Sequence, residues 1–179
     1  MARLVAKRVL SGPRPLVFAN PLVPDGLVLF EPAALEVVLR HRQVTTGAPE
    51  AGGILLGCRR GLHLHVMHAT SPGPKDQGTR VSFVRKDPSH QVRARRVWEQ
   101  SEHIVDYLGE WHTHPEAAPS PSSTDRLAWI EVLSVRKEQH VFLIAGTLDV
   151  IWTGCGEGHT LSPLLPLPDV DQHQRQVQR

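Results

Sequence analysis

Apolar and polar positions alternate along this chain in two different periods, and the changes of period mark its elements. Leu27 to Phe30 is a short apolar run that reads as a strand. From Pro32 to Val44 the period becomes helical: Leu35, Val38 and Leu39 form one stripe, with Pro32 in the first turn. Strands follow at Gly53 to Cys58 and at Leu62 to Ala69. The first is an unbroken apolar run and the second alternates. Residues 70 to 80 hold Pro72, Gly73, Pro74 and Gly78 and predict a mobile loop. Ser82 to Arg85 reads as a short strand, and Pro88 to Asp106 as mostly helix. Ile104 to Trp111 is apolar and β-prone. A helix is expected from about Thr124 to Lys137, then a hairpin of Val141 to Ala145 and Asp149 to Thr153 around Gly146-Thr147-Leu148. Strands and helices mixed in this order predict an α/β sandwich with a partly antiparallel sheet.

Organisation follows from the ends. Residues 1–24 carry Pro13, Pro15, Pro21 and Pro24, which predicts an irregular or edge-strand extension. One domain over 25–165 accounts for the rest, and the polar, Gln-rich stretch 166–179 reads as a disordered tail. A chain of 179 residues suits a single sizeable core. A net charge of +2 gives no argument for nucleic acid, and no apolar run reaches the ~20 residues of a membrane span. The first ten residues lack an apolar stretch of signal-peptide length. Cys58 and Cys155 form no close pair, which fits a reducing cytoplasm and argues against a structural zinc knot.

The chemistry concentrates in Gly109-Glu110-Trp111-His112-Thr113-His114-Pro115 and Ser122-Ser123-Thr124-Asp125. If the run into His112 is a strand, His112 and His114 share a face, because strand side chains alternate with period two. Thr113 then faces the opposite side with Trp111 and the core, and Pro115 helps end the strand. Asp125 falls at the start of the next helix, which Ser122, Ser123 or Thr124 could cap. Two histidines and one carboxylate make a catalytic type of zinc shell, with a fourth position left for water. Glu50, ahead of Gly52-Gly53 and the buried run Ile54-Leu55-Leu56, is the candidate general base. Desolvation at the edge of an apolar strand would raise its pKa towards that task.

Other features read as structural. His63, His65 and His68 share the spacing of the zinc pair, but no carboxylate motif follows them, and they suit the exposed face of a strand. His103 and His140 have no assigned role. Glu110 is expected to point away from His112. The basic segment Arg80 to Arg96 reads as a solvated helix face, or as contact with an acidic partner or nucleic acid; few aromatics interleave with it, which weakens a stacking mode.

Glu50, His112-Thr113-His114-Pro115, Ser122 and Asp125 together resemble the signature of the JAMM (JAB/MPN) metalloproteases. The wording around them, and Ser82-Phe83-Val84-Arg85-Lys86-Asp87, resembles the prokaryotic JAB branch over roughly residues 25–155. The resemblance implies the cytidine-deaminase-like MPN sandwich, a central mixed sheet flanked by helices. It implies one Zn2+ on His112, His114 and Asp125 with a catalytic water, Glu50 as proton acceptor and donor, and Ser122 as oxyanion donor. It implies hydrolysis after the C-terminal glycine of a bacterial ubiquitin-like protein, by deconjugation or precursor processing, in an antiphage conjugation system whose other components could be partners. A peptidase of a sulfur-carrier pathway and a non-catalytic MPN scaffold are the alternatives.

Overall fold

In a computed structural model, the described residues are 14–167 together with the backbone of Lys7–Val9. Of the tail expected over 166–179, residues 168–179 lie outside them, and Pro166 belongs to a strand. Twelve strands and three helices follow in the order β1 (Lys7–Val9), β2 (Leu16–Ala19), β3 (Leu27–Phe30), α1 (Pro32–Arg40), β4 (Gly52–Arg60), β5 (His63–Ala69), β6 (Gln77–Thr79), β7 (Ser82–Val84), α2 (Ser89–Gln100), β8 (Asp106–Thr113), α3 (Ser123–Val135), β9 (His140–Ala145), β10 (Val150–Glu157), β11 (Thr160–Pro163) and β12 (Leu165–Pro166).

Ten strands form one mixed sheet in the order β1-β10-β9-β8-β4-β5-β3-β2-β12, with β11 also on β10. The β8–β9 and β3–β5 pairs are parallel and the others antiparallel. β6 and β7 make a separate antiparallel hairpin. Alternation along the central strands sorts the side chains into two layers. Leu55, Val141, Leu143 and Ala145 join Ala34, Leu35 and Val38 of α1 in the main core. On the other face, Phe142 and Ile144 pack against Trp129 and Leu133 of α3, and Ile54 and Leu56 against Val97 of α2. The result is a three-layer sandwich with α1 on one face and α2 and α3 on the other, as the element pattern predicts. Among the described residues no helix is long and apolar enough to cross a membrane.

Four differences from the sequence reading have physical causes. α1 stops at Arg40 rather than Val44. His41 leaves helical geometry, its N–H and that of Arg42 bond three residues back, and Gln43 turns inward to partners elsewhere. α2 stops at Gln100, where Glu102 and His103 take left-handed backbone (φ 53° and 69°). The stretch 70–80 is fastened rather than loose. The Asp76 carboxylate accepts from the N–H groups of Gly73, Lys86 and Asp87 and pairs with His90 at 2.7 Å. His90 in turn meets the Thr70 hydroxyl at 2.6 Å. Finally, β10 runs on to Glu157 and turns into β11 and β12, and β12 covers the outer edge of β2.

One glycine decides which way β8 faces. The β4–β8 register shifts between Leu55 and Leu56, opposite Gly109 and Tyr107, so Leu108 is the extra residue of a bulge. Leu108 and Trp111 therefore both enter the core, although three positions apart. A Cβ on Gly109 would lie 1.7 Å from the Val141 carbonyl oxygen, so only glycine lets the neighbouring strand approach.

Candidate active site

With the bulge behind it, β8 points Trp111 and Thr113 into the core, each nearly inaccessible at 1% and 0%. His112 and His114 point the other way, as period two requires. Their Nε2 atoms stand 3.0 Å apart. The His114 N–H bonds to the Ala145 carbonyl at 2.9 Å, which extends the ladder one residue past the strand. The Trp129 ring of α3 lies 5.6 Å from His112 and stacks onward against Phe142 and Trp152, so the imidazole rests on a rigid aromatic column.

Asp125 reaches the same point from the first turn of α3. Ser122 is the N-cap: its hydroxyl accepts from the Asp125 N–H, and the Asp125 carboxylate accepts from the Ser122 N–H, a reciprocal capping box. The cap fixes the carboxylate, whose oxygens lie 3.2 Å from His112 Nε2 and 3.3 Å from His114 Nε2. Burial would raise the Asp125 pKa, but hydrogen bonds from both rings and from Ser122 outweigh it and hold the carboxyl far below its usual range. Burial would lower the pKa of His114, and Asp125, Glu50 and Glu116 outweigh that and raise it.

Glu50 stands at the mouth of β4, its side chain 6% exposed and 4.0 Å from His114 Nε2. Burial is the main cause lifting its carboxyl to about 7; His114 opposes the shift, and Asp125 and Glu116 add to it. A carboxyl tuned near neutrality is suited to taking and returning a proton. All five residues read from the sequence, Glu50, His112, His114, Ser122 and Asp125, line one cleft of about 570 Å³.

The cleft has a wall that the motif did not disclose. Phe83 and Arg85, on and just past β7, line it together with Trp129 of α3. Phe83 lies against Gly52, where a Cβ would come within 2.6 Å of the ring. Glu110 also lines the cleft, which corrects the expectation that it points away from His112. It is two positions earlier on the same strand and so shares the face. It pairs with Arg85 and accepts from the Tyr107 hydroxyl at 3.2 Å, and it stays outside the metal-ligating group. Among the described residues the second histidine set forms no metal-ligating group. His63 accepts from the Leu27 N–H, and His65 pairs with Glu31 at 2.7 Å.

The spacing of the donor set fits a small divalent ion. Zinc bonds of ~2.0–2.1 Å in a tetrahedron give ligand–ligand edges of ~3.3 Å. The two imidazole nitrogens here are 3.0 Å apart; one oxygen of the Asp125 carboxylate lies 3.2 Å from His112 Nε2 and the other 3.3 Å from His114 Nε2, so each separation is of that order. Two imidazole nitrogens and a carboxylate converge tightly enough to share one ion.

A family model for prokaryotic homologs of the JAB domain matches residues 32–153. Proteins named CD-NTase/cGAS isopeptidase are similar to this chain. That of Escherichia coli is 42% identical, covering 66% of this chain and 77% of that protein. That of Vibrio cholerae is 40% identical, covering 73% and 82%, and that of Pseudomonas aeruginosa 35%, covering 77% and 90%. The solution structure of protein DSY2949 from Desulfitobacterium hafniense shares the fold, with TM-score 0.55 and 22% identity over 77% of this chain and 90% of that one. The family model, matched over most of the chain, and relatives of 35–42% identity covered over 77–90% of their length place this chain in the prokaryotic JAB-domain family.

Proposed function

We propose that this chain is a zinc-dependent isopeptidase that hydrolyses the bond after the C-terminal glycine of a bacterial ubiquitin-like protein. The observation that carries the reading is the convergence of a neutral-range carboxyl, Glu50, with a two-histidine, one-aspartate group in a single cleft. The relatives are named as isopeptidases of a CD-NTase/cGAS; on this reading the bond cleaved joins the ubiquitin-like protein to such a target, within the antiphage system that the family resemblance implies. Both cysteines are buried and free, which suits action in the cytoplasm.

His112, His114 and Asp125 would hold the zinc ion, which when bound acidifies a water and polarises the scissile carbonyl. Glu50 takes the proton of the attacking water and delivers it to the leaving amine. Trp129 and the capping box keep two of the three ligands from rotating away. The oxyanion role of Ser122 carries a condition. Its hydroxyl donates to Asp125 Oδ2 at 2.7 Å, so it must turn from that carboxylate to the substrate. The hairpin offers a place for the carrier's extended tail. Among the described residues, β7 has β6 on one edge and no strand on the other. A tail added there would pair through its backbone.

The test is intact-mass analysis of a glycine-ended ubiquitin-like fusion incubated with the protein, with Glu50→Ala and chelator controls. Cleavage after the glycine, lost in both controls, is expected. No cleavage by protein holding one zinc per chain would overturn the reading. Equal turnover of a short peptide without the carrier would redirect it to a small-peptide substrate. We also infer that the basic segment Arg80 to Arg96 forms part of the groove for that tail; charge reversal at Arg93 and Arg95 that leaves cleavage unchanged would remove it from this role.

A further inference from the structure

Gln43 lies outside every motif and is 3% exposed. Its amide is saturated. Nε2 donates to the Ala48 carbonyl and to the Arg80 carbonyl, both at 2.9 Å, and Oε1 accepts from the Thr113 hydroxyl at 3.3 Å. The Thr113 hydroxyl also accepts from the Ala51 N–H at 3.0 Å, while the Thr113 N–H donates to the Ala51 carbonyl at 2.9 Å. Thr113 sits between the two histidines, and Ala51 follows Glu50. One side chain therefore ties together the strand bearing the histidines, the loop bearing the base and the hairpin that walls the cleft.

We propose that Gln43 is a positioning residue which, through Thr113, fixes Glu50 relative to His112 and His114. The proposal rests on the isopeptidase reading for its kinetic consequence. The reason for a glutamine is stoichiometric: the junction presents two carbonyls and one hydroxyl, and an amide supplies two donors and one acceptor. Glutamate would lose both donors and face the carbonyls with charge, and an apolar isostere would take this donor from the Ala48 and Arg80 carbonyls and the acceptor from the Thr113 hydroxyl. The Glu50 N–H is held by the Thr79 carbonyl at 2.7 Å, so the hairpin supports the base from one side and Gln43 supports hairpin and base loop together. Loosening the junction would let the carboxylate drift without touching it, and a displacement of ~1 Å at a reacting group can cost on the order of 100-fold in rate.

The experiment uses Gln43→Met, Thr113→Val, their double variant and Thr113→Ser. Three readings are taken: kcat and KM on the carrier fusion, the visible spectrum of the Co2+-loaded protein, and amide exchange at Ala51 in metal-free protein. Gln43→Met and Thr113→Val should each lower kcat about 10- to 100-fold with KM within about twofold. The cobalt spectrum should be unchanged, and Ala51 should exchange at least about tenfold faster. The double variant should lose no more than the worse single, since both cut one chain of bonds. Thr113→Ser, which keeps the hydroxyl, should restore kcat. Wild-type kcat in Gln43→Met, or unaltered Ala51 exchange in both single variants, would overturn the proposal. So would a fall in kcat that comes with an altered cobalt spectrum and a raised KM, because that is general loosening. If Gln43→Met fails to fold, Thr113→Val carries the test. If wild type itself cleaves no fusion, the isopeptidase reading fails; Ala51 exchange and the cobalt spectrum still decide the positioning role.

Discussion

At the scale of single residues, the proposed function separates groups that would hold an ion from the group that would react. Glu50→Gln keeps the volume of the side chain and removes the proton acceptor. It should lower kcat by about 100-fold or more while zinc content stays at one per chain, measured by single-turnover kinetics and metal analysis. Asp125→Asn should do the reverse, losing zinc together with activity. Equal zinc retention in wild type and Asp125→Asn would show the ligand group misassigned. These residues were legible because their chemistry is written in local spacing: period two for the histidines, a helix start for the aspartate, an apolar run behind the glutamate. Gln43 was not legible. Its hydroxyl partner is 70 positions away, and a lone glutamine at a helix end carries no signal. Glu110 was misread because its separation from His112 is two, which on a strand means the same face.

At the scale of elements, the backbone decides where the reacting groups point. The bulge at Leu108 resets β8, and without it the residues before and after Gly109 could not keep their present faces. Gly109→Ala would drive a methyl into the Val141 carbonyl. It should therefore weaken zinc binding and lower Tm together, measured by competitive metal titration and thermal unfolding. The element predicted to be mobile gives the second case. Residues 70–88 are held by Asp76, whose carboxyl burial would raise; bonds from His90 and from the N–H groups of Asp87, Gly73 and Lys86 outweigh it and leave it at about 2. A folded pKa below the unfolded value means that this stability is fully present above the unfolded pKa near 4 and is lost as pH falls towards 2. Unfolding midpoints of wild type should fall over that window, and Asp76→Asn should be less stable at pH 7 yet show a flatter acid profile. Proline and glycine content pointed to a loop here, and correctly to a non-helical one. It could not show that one buried carboxylate gathers the turns.

At the scale of the molecule, the sheet order explains why a metal here should matter to folding as well as to chemistry. The mixed sheet was foreseeable from the alternation of strands and helices, but the pairing of β8 between β4 and β9 rests on contacts distant in sequence. That pairing puts His112 and His114 in the middle of the sheet, Glu50 at the end of the neighbouring strand, and Asp125 on a helix of the outer layer. A bound ion would thus cross-link α3 to the sheet over the segment 115–122, which has no regular structure of its own. Ligand binding to the folded state alone stabilises by about 2.7 kcal/mol at a hundredfold excess over Kd, and in a chain of this size that is about 5–10 °C in Tm. Chelation should lower Tm by that amount. The change in amide exchange should be confined to residues 115–130, and the α1 side of the core should keep its protection, because its contacts do not pass through the site. A uniform loss of protection across both faces would instead mean that the ion holds the whole sandwich together, and an unchanged Tm would mean that the ligand group does not bind the ion in the folded chain.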